Sequence, residues 1–223
     1  MRDARLPVVK VCCIASREEA DLAIAAGASA LGLVSAMPSG PGVISDEEIA
    51  EIAATVPPPV ATFLLTARQE ADAIAEQQRF CGTTTLQLVD HVAPTELQRL
   101  RRALPGIRIV QVIHVNGEES VEEARAVAPL VDALLLDSGN QKLPVKELGG
   151  TGRTHDWSLS RRIRDTARAP VFLAGGLNAA NVGDAIRAVS PFGLDLCSGV
   201  RTAGRLDPVR LAEFFHAIAR SAP

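Results

Sequence analysis

The strongest constraint on the fold is an alternation of short apolar runs with amphipathic segments that continues along the whole chain. The apolar runs are too short for helices and end in turn residues, which predicts buried parallel strands joined by amphipathic helices. About eight such strand–helix units can be read, and eight is the number that closes a barrel. We therefore predict an α/β protein with a single (β/α)8 TIM barrel domain spanning residues 1–223, whose strand-to-helix loops share one face.

An open, doubly wound sheet is the main alternative, because it also alternates strands with helices. Two features disfavour it. The first strand-to-helix turn lacks the GxGxxG sequence that such sheets use for dinucleotides. The late turns of the chain contain small residues in the pattern that barrels use to bind phosphate.

Helix starts can be predicted from local sequence. Ser16 with Glu19, and Ser45 with Glu48, have the spacing of a capping box and each predict a helix N-terminus. Periodicity also predicts helices over residues 66–80 and 179–189. The second of these helices would begin shortly after the glycines at 175 and 176.

Composition limits the classes of function. The net charge of −3 and an aromatic content of 3% offer neither a basic surface nor a stacking platform, which argues against a nucleic-acid partner. No apolar run reaches the length of a membrane span, and residues 1–5 lead into a strand rather than a signal-peptide core. We expect a cytoplasmic protein without a membrane partner. The cysteines lack zinc-type spacing and disulfide-scaffold density, which predicts free thiols at Cys12, Cys13, Cys81 and Cys197.

Two late turns form a candidate phosphate site. The apolar run that begins at Val171 ends in Gly175, Gly176 and Asn178, and the next apolar run ends in Ser198 and Gly199. Backbone N–H groups at such turns bind phosphate well, and two adjacent loops late in the chain are typical of phosphate-binding barrels. The alternative is that these glycines only permit tight turns.

The carboxyl ends of the strands supply the candidate chemical groups. Cys12 and Asp137 would face the same cavity as a thiolate base and a carboxylic acid, with Lys10 favouring the thiolate. Cys12 can also be read as plain core, whereas Asp137 ends a run of three leucines and is not core filler. The polar loop over residues 138–156 is predicted to be an active-site loop. The strand-end candidates are Lys10, Cys12, Gln87, Asp137, Asp195 and Ser198.

Five stretches in order resemble the motifs of the phosphoribosylanthranilate isomerase family of tryptophan biosynthesis. They are KVCCI at residues 10–14, LLDS at 135–138, GGTG at 149–152 followed by DW at 156–157, LAGGLN at 173–178 followed by NV at 181–182, and GLDLCSGV at 193–200. The family's counterparts are KICGI, LLDT, GGTG-x-x-FDW, LAGGLNPxNV and GVDVSSGVE. The resemblance covers essentially the whole chain.

This resemblance implies an Amadori rearrangement of a small phosphosugar, with Cys12 as general base, Asp137 as general acid and the late loops on the substrate phosphate. It implies no metal and no cofactor, and a monomer or a homodimer. The residues it places on substrate or phosphate are Lys10, Gln87, Gly150, Gly152, Gly175, Gly176, Asn178, Asp195, Ser198 and Gly199.

The chain departs from the family motifs at several positions. Gly42 stands where the family has a substrate-contacting arginine, Val89 replaces a histidine, Cys13 replaces a glycine and Arg201 replaces a glutamate. One interpretation is an authentic isomerase in which Arg201 or Arg153 supplies the missing charge. If neither arginine compensates for Gly42, we expect a weakened KM that Gly42→Arg improves.

Two other interpretations remain. In one, the ring-binding half of the site is remodelled for a different phosphosugar. In the other, the chain is a catalytically silent barrel that binds a phosphorylated ligand or a partner protein. The presence of both Cys12 and Asp137 argues against the silent barrel, because phosphate binding needs neither side chain.

Overall fold

Eight parallel strands form a closed barrel in a computed structural model that describes residues 6–139, 143–150 and 152–221. The strands are Val8–Val11 (β1), Ala30–Val34 (β2), Ala61–Thr66 (β3), Thr85–Leu88 (β4), Arg108–His114 (β5), Ala133–Asp137 (β6), Val171–Leu173 (β7) and Gly193–Leu196 (β8). The barrel closes because β1 pairs with β2 on one side and with β8 on the other, with Lys10 opposite Asp195. The predicted barrel is confirmed, and the open sheet is wrong.

A helix follows each strand and covers the outside of the barrel with its apolar side. The helices are Arg17–Ala26 (α1), Asp46–Thr55 (α2), Ala71–Cys81 (α3), Pro94–Ala103 (α4), Glu119–Val127 (α5), Trp157–Thr166 (α6), Val182–Val189 (α7) and Pro208–Arg220 (α8). Two short strands, Arg201–Thr202 (β9) and Arg205–Leu206 (β10), pair antiparallel between β8 and α8. Among the described residues, none of the helices combines the length and the apolar character needed to cross a membrane.

Only one of the two predicted capping boxes is complete. Ser45 and Glu48 exchange both hydrogen bonds at the start of α2, as predicted. At α1, Ser16 accepts from the Glu19 N–H, but the Glu19 carboxylate accepts from the Ala15 N–H and from Arg201 instead of the cap residue. The second half of that prediction is wrong because a buried arginine attracts the carboxylate.

Two helices start later than predicted. β3 continues through Thr66, whose hydroxyl donates to Gln77, and α3 therefore begins at Ala71 rather than at residue 66. α7 begins at Val182 rather than at residue 179, because Asn181 accepts from the Asn178 N–H and closes a turn before the helix. Residues 177–181 therefore separate the paired glycines from the helix.

Apolar side chains line the interior of the barrel towards the amino ends of its strands. Phe63 and Phe172 are buried and meet edge to face with ring centroids 6.1 Å apart. Such contacts stabilise a packed interior. The carboxyl ends of the strands instead carry polar side chains, which leaves that end of the barrel for a site.

Candidate active site

A cavity opens at the carboxyl ends of the strands, between the loops that follow them. Most of the predicted site residues line it: Cys12, Gln87, Asp137, Gly150, Gly152, Gly175, Asp195 and Ser198. From the predicted active-site loop over residues 138–156, Leu148 and Gly149 also line the cavity. Residues 140–142 and Thr151 of that loop lie outside the described residues, as do residues 1–5 at the chain start. Four predicted residues do not line the cavity: Lys10, Gly176, Asn178 and Gly199.

Lys10 lies beneath the cavity floor rather than in it. Its side chain is fully buried, and Nζ is 2.8 Å from Asp195 Oδ1. Burial acts to lower the pKa of Lys10, but the Asp195 carboxylate and the Cys12 thiolate outweigh it and raise the pKa above its ordinary value. Lys10 therefore does not line the cavity, and the charge of this buried cation acts on its neighbours Asp195 and Cys12.

Cys12 has the environment of an activated thiol. A hydrogen bond from Cys13 is the largest influence lowering the pKa of Cys12, burial opposes it, and the charge of Lys10 adds to the lowering. A Cβ on Gly32 would lie 2.8 Å from Cys12 Sγ and 2.9 Å from Lys10 Nζ, which places the two groups side by side against β2. A thiolate next to a buried ammonium group is suited to removing a proton.

Gly32→Ala is expected to lower kcat about 10- to 100-fold, because the new methyl group must displace Cys12 or Lys10 by a fraction of an ångström or more. Steady-state kinetics would check this. Gly82→Ala is the matched control, since a Cβ there meets nothing within 4 Å and only its φ of +65° is unfavourable. That variant should lose about 1 kcal/mol of stability and keep its kcat.

Asp137 ends β6 at the cavity wall. One carboxylate oxygen accepts from the Ser138 N–H at 2.7 Å. The other lies 2.7 Å from the position that a Gly149 Cβ would occupy, so the covering loop passes directly over the carboxylate. This arrangement holds the carboxyl group in one orientation at the cavity, as a proton donor requires.

The two late turns approach each other and the loop before α6 more closely than side chains would allow. A Cβ on Gly199 would lie 2.0 Å from Leu177 O, and one on Gly176, at φ +62°, would lie 2.8 Å from the Arg153 carbonyl carbon. Gly176 and Gly199 therefore allow the loops to pack against one another, while Gly175 and Ser198 line the cavity. The Asn178 side chain bonds to the Gly176 carbonyl and the Ala180 N–H, and so shapes the turn.

Neither arginine proposed to supply the missing charge reaches the cavity. Arg201 makes two hydrogen bonds to the Glu19 carboxylate, at 2.8 and 3.0 Å, and another to the Cys13 carbonyl. Arg153 pairs with Glu147. Within the part of the chain that the structure describes, no lysine or arginine lines the cavity.

Gly42 and Cys13 occupy adjoining space. A Cβ on Gly42, whose φ is +74°, would lie 2.5 Å from Cys13 Cβ and 2.9 Å from Cys13 Cα. The Cys13 side chain therefore stands in the way of Gly42→Arg, and the expectation that this substitution alone improves KM stays an untested prediction. The sequence carried a signal for this coupling, since a family glycine and a family arginine are replaced together.

Three titratable residues at or beside the cavity were not among the predicted site residues. Cys13 and Cys197 both line it, and their Sγ atoms are 2.7 Å apart. His155 stands where the family motif has phenylalanine, and its Nε2 is 2.7 Å from Ser160 Oγ. Burial lowers the pKa of His155 although the charge of Asp137 opposes the shift, so this imidazole is neutral at pH 7.

Comparisons with known proteins agree with this geometry. A family model described as N-(5'phosphoribosyl)anthranilate (PRA) isomerase matches residues 9–217. An N-(5'-phosphoribosyl)anthranilate isomerase of Haloferax volcanii is 37% identical over 217 residues, which cover 96% of this chain and 93% of the relative.

Solved structures show the same likeness. Phosphoribosyl anthranilate isomerase from Thermotoga maritima superposes with a TM-score of 0.82 at 28% identity, covering 96% of this chain and 99% of that one. A phosphoribosyl anthranilate isomerase in complex with reduced 1-(o-carboxyphenylamino)-1-deoxyribulose 5-phosphate superposes with a TM-score of 0.80 at 27% identity, with the same coverage.

Proposed function

The chain belongs to the N-(5'-phosphoribosyl)anthranilate isomerase family and is an isomerase of tryptophan biosynthesis, and we propose that Cys12 and Asp137 are its acid–base pair. The reaction is the Amadori rearrangement of N-(5-phosphoribosyl)anthranilate to 1-(2-carboxyphenylamino)-1-deoxyribulose 5-phosphate. The observation that carries the assignment is that a thiol with a lowered pKa and a strand-end carboxyl group line one cavity.

The chemistry follows from these two groups. Asp137 donates a proton to the furanose ring oxygen, the bond from that oxygen to C1 breaks, and an iminium ion forms at C1. The Cys12 thiolate removes the proton at C2, which converts the iminium ion into an enolamine. The enolamine tautomerises to the ketone. Protons move but no net oxidation occurs, so the steps require neither a metal nor a redox cofactor.

We propose that the substrate phosphate binds between the loop over residues 174–178 and the loop over residues 197–200. Support comes from their close approach at Gly199 and Leu177, and from Gly175 and Ser198 on the cavity wall. Backbone N–H groups at such turns are good hydrogen-bond donors to a bound phosphate. Inorganic phosphate is expected to inhibit competitively with substrate.

A second candidate function is isomerisation of a different phosphosugar. The observation that favours it is the absence of a lysine or arginine side chain from the cavity wall among the described residues, where the anthranilate carboxylate would need a partner. The two candidates differ in the ring they accept and share the acid–base pair.

The coupling between Gly42 and Cys13 gives a prediction about the carboxylate. Gly42→Arg alone should raise KM or destabilise the fold, because its side chain meets Cys13. The double variant Cys13→Gly with Gly42→Arg frees that space, and we expect it to lower KM about tenfold relative to Cys13→Gly alone. Steady-state kinetics of the four chains would measure this. Equal KM values for the double variant and Cys13→Gly would show that the carboxylate binds elsewhere.

Growth complementation tests the proposed function in a cell. A tryptophan-requiring bacterial strain that lacks this isomerase should grow without tryptophan when it produces the wild-type chain. The Asp137→Asn variant, produced to the same level, should not support growth. A folded wild-type chain that fails to restore growth would favour the second candidate.

We also propose that the protein acts in the cytoplasm and that residues 1–223 form one domain. Pairing of β1 with β8 supports one domain, because strands from near both ends of the chain complete the same barrel. For the assembly, a monomer and a homodimer are the two candidates, and sedimentation velocity would distinguish them.

A further inference from the structure

Two cysteine thiols meet at the seam where the barrel closes. Cys13 follows β1 and Cys197 follows β8, and their Sγ atoms are 2.7 Å apart. The backbones are joined directly below this contact by the hydrogen bond from the Cys12 N–H to the Leu196 carbonyl, at 2.7 Å. Neighbouring strands are about 4.8 Å apart, a separation within the range of Cα distances that a disulfide spans.

The local backbone brings Cys13, rather than Cys12, to Cys197. Consecutive residues of a regular strand point to opposite faces. Cys13 has a φ of +62°, so the strand pattern ends there and the side chains of both cysteines line the cavity. The Cys12 thiol lies against Gly32 on β2, whereas the Cys13 thiol contacts Cys197 on the other side.

At positions 13 and 197 this chain has cysteine where the family motifs have another residue. The motif KICGI has glycine at the position of Cys13, and GVDVSSGVE has serine at the position of Cys197. Cysteine is a costly choice at a positive φ, where glycine fits without strain. The paired thiols supply a reason for a cysteine at that position.

We propose that Cys13 and Cys197 form a reversible disulfide when the protein meets a peroxide, and that this bond switches the isomerase off. The half-buried Cys197 is the accessible partner. Its thiolate attacks the peroxide O–O bond, which yields a sulfenic acid and water. The Cys13 sulfur then displaces the sulfenic oxygen as a second water. In total, two thiols lose two electrons and two protons, and hydrogen peroxide is reduced to two water molecules.

The bond would act on the neighbouring base. The Cys13 thiol donates a hydrogen bond to Cys12, and that hydrogen bond is the main influence favouring the Cys12 thiolate. A disulfide has no S–H, so oxidation removes this donor while leaving Cys12 itself intact. We expect kcat to fall about tenfold or more, as for the loss of a hydrogen bond to a charged group. This consequence rests on the proposed function, whereas formation of the bond does not.

The test combines peptide mass spectrometry with activity. The wild-type chain is treated with hydrogen peroxide, alkylated and digested, and a parallel sample is assayed before and after dithiothreitol. We expect a peptide pair joined through Cys13 and Cys197, lighter by two hydrogen atoms than the reduced pair. Activity should fall in parallel and return with the reductant.

Variants separate this bond from other oxidation. In Cys197→Ser and in Cys13→Gly, the ratio of activity before to after peroxide should stay near one, whereas Cys81→Ser should respond like wild type because Cys81 is buried on α3. The proposal is overturned if no Cys13–Cys197 peptide forms, if the disulfide involves Cys12, or if Cys197→Ser loses activity as wild type does. The linked peptide without any isomerase activity in the reduced chain would instead contradict the proposed function.

Discussion

Asp137→Asn and Cys12→Ser are each expected to lower kcat by about two to four orders of magnitude and to change KM little. General acids and bases act mainly in the transition state, so their loss affects turnover more than substrate binding. Asparagine keeps the shape of Asp137 and its hydrogen bond to the Ser138 N–H, but it has no acidic proton to give. Serine at position 12 is a far weaker base than a thiolate beside Lys10.

Stopped-flow or steady-state fluorescence assays would measure kcat and KM. Binding of inorganic phosphate would show whether the variants still bind a ligand. Cys81→Ser is the matched control, because it removes a buried thiol outside the cavity. The roles are contradicted if Cys12→Ser keeps its kcat. If Cys13→Gly loses activity as completely as Cys12→Ser should, the thiol base is Cys13.

Arg201→Met is expected to lower the free energy of unfolding by about 3–5 kcal/mol, the cost of leaving a buried charge without its partner. The side chains of Arg201 and Glu19 are 8% and 17% exposed, and the pair connects α1 to the β9–β10 hairpin. Glu19 also accepts from the Leu206 N–H at 2.9 Å. Removal of the guanidinium leaves a buried carboxylate among backbone donors only.

The pH dependence of stability would reveal the contribution of the Glu19 carboxylate. Burial acts to raise the pKa of Glu19, but Arg201 and backbone N–H groups outweigh it and hold the pKa below its ordinary value of 4.5. Since the folded-state pKa is the lower one, the stability from this group is present above pH 4.5 and is lost as pH falls through the folded value. The difference in stability between wild type and Glu19→Gln should therefore shrink in acid.

Urea denaturation at several pH values would measure both effects. Arg125→Met is a suitable control, because its partner Glu122 is 70% exposed and such surface pairs contribute less than about 1 kcal/mol. An Arg201→Met chain that is as stable as Arg125→Met would show that the buried pair contributes nothing to the fold.

The barrel could be predicted from sequence because each strand and helix carries its own pattern. Alternation of apolar runs with amphipathic segments predicts the units, and their number predicts closure. The start of α7 was misplaced because an asparagine turn, formed by Asn178 and Asn181, replaces the first helical turn. Side-chain hydrogen bonds of this kind compete with helix formation, and periodicity does not reveal them.

The candidate site was predictable only in part. Strand ends placed Cys12 and Asp137 at one end of the barrel, and both line the cavity. The burial of Lys10 was not foreseen because its partner, Asp195, lies on a strand that becomes its neighbour only when the barrel closes. The ion pair of Arg201 was not foreseen for the same reason, since Glu19 is far from it in sequence. Long-range pairs of this kind depend on the three-dimensional arrangement.

Conversion of N-(5-phosphoribosyl)anthranilate by the purified chain tests the central claim most directly. The loss of anthranilate fluorescence is followed, and the product is trapped by borohydride to show the new ketose carbonyl. Wild type should consume the substrate, and borohydride should reduce its deoxyribulose phosphate product to the alcohol. Asp137→Asn at equal concentration should do neither. A folded wild-type chain that binds inorganic phosphate but leaves the substrate unconverted would contradict the account.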